Sequence, residues 1–176
     1  YGEFKTDIPD ELDDPRDGKT FWGITGAHGF ISVTRGSDIF GNTYVSVTRV
    51  NNWEFKNGQA CQQKTTTVTR GETLFGNDYT TTTVTENTFG FHIEGDRFGY
   101  LTMSQTVTTD TVSEDLFGNT VTTHSTVTYT YGKFTAEVPD ELNDPRDGKQ
   151  FWGITGASRF SSTTTGSDIF GNEYTS

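Results

Sequence analysis

Apolar and polar residues alternate over short stretches of this chain, and glycine-containing breaks separate the stretches. Ile31–Arg35 and Tyr44–Arg49 alternate in this way, and within Thr126–Thr130 one parity carries Val127 and Tyr129 while the other is threonine. Period-two alternation puts successive side chains on opposite faces of a strand. Lys64–Arg70 and Thr80–Val84 are nearly threonine on both parities. The pattern predicts one lightly apolar face and one hydroxylated face, as antiparallel sheets allow. Facing threonine pairs contribute about 0.2–1 kcal/mol each, which suits long flat sheets better than a globular core. Such faces specify register weakly. The turns, with Arg35, Arg49 and Arg70 near strand ends, are expected to fix it and to discourage edge aggregation.

The breaks share a motif: a small or acidic residue, an apolar residue, then Phe-Gly-Asn. It occurs as Phe40-Gly41-Asn42, Phe75-Gly76-Asn77, Phe117-Gly118-Asn119 and Phe170-Gly171-Asn172, each next to β-branched runs. Gly and Asn both tolerate the positive φ of a reversing loop, and the Phe is expected to fold back onto the hairpin face. A shorter turn at Glu94–Asp96 joins Phe89–Ile93 to Arg97–Met103, and a last hairpin pairs Ser104–Val112 with Thr120–Thr130. The chain therefore reads as all-β, an antiparallel meander of about eight strands per period, either sandwich-like or an extended sheet unit.

The chain also repeats itself over a longer distance. Tyr1–Leu12 returns as Tyr131–Leu142, and residues 131–176 follow residues 1–46 without a gap, 14 positions differing and 32 matching. The expected organisation is a tandem repeat of 130 residues, with 1–130 one complete unit and 131–176 the start of the next, in a parent chain extending beyond both ends.

One segment breaks the strand pattern, Ile8–Lys19, which returns as Val138–Lys149. Pro9 followed by acidic residues is expected to open a short helical turn that Asp14-Pro15 stops. The invariant Phe21–Ala27 follows, identical to Phe151–Ala157. Asp10, Asp13, Asp14 and Asp17 are the nearest thing to a metal site, because Ca2+ takes six to eight oxygens from a flexible loop. The spacing is not that of an EF-hand: Ile24 stands where the bidentate Glu belongs, and Asp13 becomes Asn143. The alternative is a solvated loop pairing Arg16 and Lys19 with its own carboxylates. Trp22 and Trp152 are expected to anchor each loop against the sheet or the adjoining repeat, the alternative being an exposed platform for sugar rings. Pro9, Leu12 and Phe21 join them as expected contacts between repeats, with the Tyr1–Ile8 strand as the donor if strands are exchanged.

Hydrophobic residues are 30% of the chain, mean hydropathy is -0.62, and aromatics reach 14%. Abundant aromatic and β-branched residues argue against disorder. The modest apolar content implies a thin core, since ordering a residue costs about 1.5 kcal/mol, so one unit needs neighbours to share surface with it. A net charge of -11 argues against nucleic acid as a partner, and no apolar run approaches a membrane span. The single cysteine, Cys61, excludes a disulfide framework. It reads as a small side chain in a β-layer, or as a covalent link between chains in an oxidising setting.

Chemistry finds no foothold. His28 becomes Ser158, His92 and His124 lie in predicted strands without a nucleophile motif beside them, and no phosphate-binding glycine loop is present. No enzyme activity and no cofactor beyond Ca2+ is expected. In composition the Thr-rich strands resemble the flat threonine arrays of ice-binding β-proteins and the Thr-rich β-repeats of bacterial adhesins. Uneven spacing of the Phe-Gly-Asn turns disfavours the former. The reading is a structural repeat of an extracellular filament, sheath or surface fibre whose partner is itself. The alternative is a surface adhesin or carbohydrate-binding repeat that meets a polysaccharide at the cell surface.

Overall fold

The computed structural model describes residues 1–27, 29–73, 75–94, 97–137, 145–158 and 160–176. Every strand pairing in it is antiparallel. Strands β1 (Gly2–Lys5) and β2 (Thr20–Gly23) form a small hairpin around the acidic segment. The main sheet contains β3 (Ile31–Ser37), β4 (Thr43–Lys56), β5 (Gln59–Glu72), β6 (Asp78–Glu94), β7 (Arg97–Glu114), β8 (Thr120–Thr135), β9 (Gln150–Ala157), β10 (Ser161–Ser167) and β11 (Glu173–Thr175). Its order is β11-β10-β8-β7-β6-β5-β4-β3, with β9 pairing to the far half of β8. The fold is thus the expected all-β meander, realised as one extended sheet rather than a sandwich. The expected helical turn is a 3-10 turn at Asp10–Leu12. The expected turn at Gly95 and Asp96 lies outside the described residues, as do Leu74 and the second acidic segment from Val138 to Asp144.

Direct cross-strand partners share a face, so the registers assign every central position. On one face, a row runs Thr34, Ser46, Thr69, Thr81, Thr111, Thr123, Thr164, and the next runs Ser32, Thr48, Thr67, Thr83, Thr109, Ser125, Ser162. Two further rows border these: Gly36, Tyr44, Gly71, Tyr79, Ser113, Val121, Gly166 and Tyr174 on one side, Val50, Thr65, Thr85, Val107 and Val127 on the other. We call this the hydroxyl face. The opposite, charged face carries Arg35, Arg49, Arg70, Glu72, Asp78, Asp110, His124 and Glu173 among Val33, Val47, Val68 and more threonine.

This sorting corrects the expectation of one lightly apolar and one purely hydroxylated face. The apolar Val127 and Tyr129 stand on the same side as the hydroxyl rows, and the other side is distinguished by charge. The three arginines stand together on that side, across β3, β4 and β5. Threonine runs hide this from the sequence, because either parity of Thr80–Val84 fits either face.

The interior is nearly absent. Among the described residues only Thr6, Ile8, Val50, Cys61 and Gly99 are buried. The accessible surface is 12111 Å², where a compact monomer of this mass exposes about 8,500 Å². The molecule is a single layer of sheet with both faces open.

Candidate assembly surfaces

The Phe-Gly-Asn turns close alternate hairpins and therefore all lie at one end of the sheet. In the first, Asp38 N–H donates to Asn42 O (3.1 Å) and Gly41 N–H to Asp38 O (3.2 Å). Gly41 takes φ 86°. This is a three-residue loop in which a turn is followed by a left-handed residue. The same backbone pattern recurs at Thr73–Asn77, Asp115–Asn119 and Asp168–Asn172, with Gly76, Gly118 and Gly171 at positive φ.

Two expectations are corrected here. Only the glycine uses positive φ; Asn contributes through its side chain. Asp38 Oδ1 accepts the amides of Phe40 and Asn42 while Asn42 Nδ2 donates to Oδ2 (2.7 Å), and the same set of bonds forms at Asp115 and Asp168. The side-chain and backbone donors hold the carboxyls of Asp38, Asp115 and Asp168 below the usual carboxylate range. At the second turn Thr73 Oγ1 accepts Asn77 N–H instead. Aspartate stands two residues before the Phe in the other three copies, and threonine stands there in this one. The phenylalanines do not fold back: Phe40, Phe75, Phe117 and Phe170 are all exposed, as are Ile39, Leu116 and Ile169. Neighbouring turns touch sideways. A Cβ on Gly76 would meet Leu116, and Ile169 N–H donates to Asn119 Oδ1 (3.2 Å).

In the acidic segment each described carboxylate that makes a bond serves the loop itself. Arg16 donates through Nε and Nη2 to Asp14 (2.8 and 2.5 Å), and these bonds bring the Asp14 carboxyl down to about 2. Asp17 Oδ1 accepts Ile8 N–H (2.8 Å). Thr6 Oγ1 donates to the carbonyl of Arg16, and Thr6 and Ile8 are both buried. Asp13 takes φ 43° at the end of the 3-10 turn, and Asp10 stays exposed. No group of three or more His, Cys, Asp or Glu converges among the described residues.

The two copies of the motif following that segment differ in environment. Phe4 faces Phe21 and Glu3 faces Trp22 in the first; Phe134 faces Phe151 and Lys133 faces Trp152 in the second. Trp22 is 70% exposed, with Pro9 and Leu12 exposed nearby in sequence. Trp152 instead donates its Nε1–H to the carbonyl of Thr102 (3.0 Å) and lies 5.2 Å from the His92 ring. The indole is thus held by β6 and β7, elements contributed by residues 78–114. The first hairpin reaches the other way: Ile24 N–H donates to Gly58 O (2.9 Å), and Asp7 and Asn57 exchange two bonds.

Strand β8 runs unbroken through Thr130 and Tyr131, where the sequence period begins. β10 pairs with it from Ser161↔Thr126 to Ser167↔Thr120, and β9 from Ala157↔Tyr129 to Gln150↔Thr135. β10 is the counterpart of β3, whose partner is β4 alone. Between these two strands and their hairpin mates, Ile31/Ser161, Val33/Thr163, Arg35/Thr165, Thr43/Glu173 and Val45/Thr175 differ. All ten positions lie on the charged face. The hydroxyl-face residues Ser32, Thr34, Gly36, Tyr44 and Ser46 are unchanged at 162, 164, 166, 174 and 176.

Cys61 faces Glu54 and is 4% exposed, and burial pushes its thiol up. A bond to another chain would require the side chains that cover this thiol to move aside. His124 Nδ1 and Asp110 Oδ1 approach to 2.6 Å across β7 and β8 on the charged face, and His124 Nε2 lies 3.4 Å from the Thr126 hydroxyl. No helix among the described residues is long and apolar enough to cross a membrane. No family model, no curated protein and no solved structure matches this chain.

Proposed function

We propose that the chain is structural material of an extracellular filament, sheath or surface fibre, and that its 130-residue units join by continuing one antiparallel sheet from unit to unit. The observation that carries this reading is the edge-to-edge pairing of β10 with β8. Thr164 and Ser176 exchange both backbone bonds (2.9 and 2.8 Å). The amides of Ser161, Thr163 and Thr165 therefore face β8. On β3 the same alternation turns the amides of Ile31, Val33 and Arg35 away from β4, toward the position a preceding β8 would occupy. Trp22 is exposed on the side where Trp152 is held, so a preceding unit would cover it too. Each unit then adds six strands, β3 to β8, to the sheet, with a rise of about 29 Å.

Fibre diffraction or electron cryomicroscopy of assembled material tests this. Strands should stack along the fibre axis at about 4.8 Å with a unit repeat near 29 Å. Val33→Pro deletes one outward amide of β3, which an edge strand tolerates, and should leave a folded chain that no longer elongates. Separate beads without axial order, or elongation untouched by Val33→Pro, would overturn the proposal.

A further inference from the structure

We infer that two such sheets pair through the hydroxyl face, so that the occupant of this face is the same face of a second copy; for ribbons, though not for isolated chains, the inference rests on the sheet-continuation reading above. The four rows contain no charged side chain, in a chain with 37 charged residues (13 basic and 24 acidic). Burying them against one another desolvates no ion, whereas burying the opposite face would desolvate Arg35, Arg49, Arg70 and Asp110. The hydroxyls also give up little on leaving water, because they already bond to each other in the plane of the sheet. Thr48 bonds Thr67 (3.0 Å), Thr69 bonds Ser46 (3.0 Å), and Thr81 bonds Thr111 (3.1 Å).

The relief is low enough for close approach. The Tyr44, Tyr79 and Tyr174 rings lie over Gly36, Gly71 and Gly166, where any Cβ would collide with them, so the largest side chains on this face lie flat across the neighbouring strand. Seven strands at about 4.8 Å and four rows at about 6.7 Å give roughly 900 Å². A stable interface needs about 800 Å² from each partner. A surface that must meet its own copy on every unit tolerates no local change. This matches the confinement of differences between the two β3-type hairpins to the charged face. Contact of the rows would make a dry layer between the sheets, interdigitated Ser and Thr in the two central rows and Gly, Tyr and Val in the rows that border them.

Sedimentation of the full chain at about 0.15 M salt is the test, with the axial measurements above kept separate. The unaltered chain should form a dimer. Thr81→Lys with Thr111→Lys puts like charges at the centre of the face and should weaken the dimer by more than about 100-fold. Thr82→Lys, on the charged face, should leave it intact, and so should Val33→Pro at the sheet edge. Aligned material of the unaltered chain gives a second readout independent of variant folding, an inter-sheet spacing near 10 Å. A chain that stays monomeric, a dimer indifferent to Thr81→Lys and Thr111→Lys, or assembled material lacking the spacing overturns the inference. So does depletion of the monomer by insoluble cellulose or chitin that those two substitutions abolish, which would assign the face to a polysaccharide. Loss of elongation by Val33→Pro with the dimer retained separates failure of one reading from failure of the other.

Discussion

A single residue in each loop carries the backbone demand of the Phe-Gly-Asn turns. Gly118 sits at φ 82° with only Ile169 near its missing Cβ, so Gly118→Ala should cost about 1–2 kcal/mol through conformation alone. Denaturant unfolding with an unchanged slope would show it. The aspartates set a pH limit. Asp38, Asp115 and Asp168 are held below their ordinary value of 3.8 by turn donors, and Asp14 is brought to about 2 by Arg16. A carboxylate whose folded value is depressed stabilises above its unfolded value and loses that contribution as pH falls through the folded one. Melting temperature should therefore drop between about pH 4 and pH 2. Replacing Asp38, Asp115 and Asp168 by Ala should lower it at pH 7, and the gap to the unaltered chain should close toward pH 2. The recurrence and glycine of these turns were legible in the sequence. The task of Asn was not, because tolerance of positive φ and capacity to bond an aspartate four residues back predict the same residue type.

For whole strands the difficulty is register. Alternation placed the strands along the chain, and the motif spacing gave the hairpins, but threonine on both parities left open which residues align across the sheet. That is settled by the length of each loop and by the bulges at Val50–Trp53 and Thr88–Phe89, which no local pattern announces. The role of the tryptophans was half legible: an aromatic between glycines promises packing, but the partner of Trp152 lies on β7, 50 residues away. The two copies allow an internal comparison. Trp152→Ala removes the bond to Thr102 and the contact with His92, and should cost about 2 kcal/mol, below the 3–5 kcal/mol of a fully enclosed tryptophan. Trp22→Ala, at an exposed position with the same local sequence, should change stability by less than about 0.5 kcal/mol in the isolated chain. Equal losses at the two sites would show that the indole serves its own hairpin, and would remove the asymmetry on which unit-to-unit contact depends.

The open single layer has a thermodynamic signature for the molecule as a whole. An unfolded chain of this mass exposes about 28,000 Å², so folding to 12111 Å² buries about 16,000 Å². A compact monomer would bury about a fifth more. Denaturant slope and heat-capacity change both follow the area exposed on unfolding. The dilute chain should show both quantities about a fifth below those of a globular domain of equal length. Concentration is then the informative variable: a second sheet on the hydroxyl face adds buried area only in the associated state, so slope, heat capacity and melting temperature should rise together as the chain is concentrated. Thr81→Lys with Thr111→Lys should abolish that rise and leave the dilute values in place. A chain whose dilute slope already matches a compact domain would mean that the sheet closes on itself in solution, leaving neither face free to meet a partner.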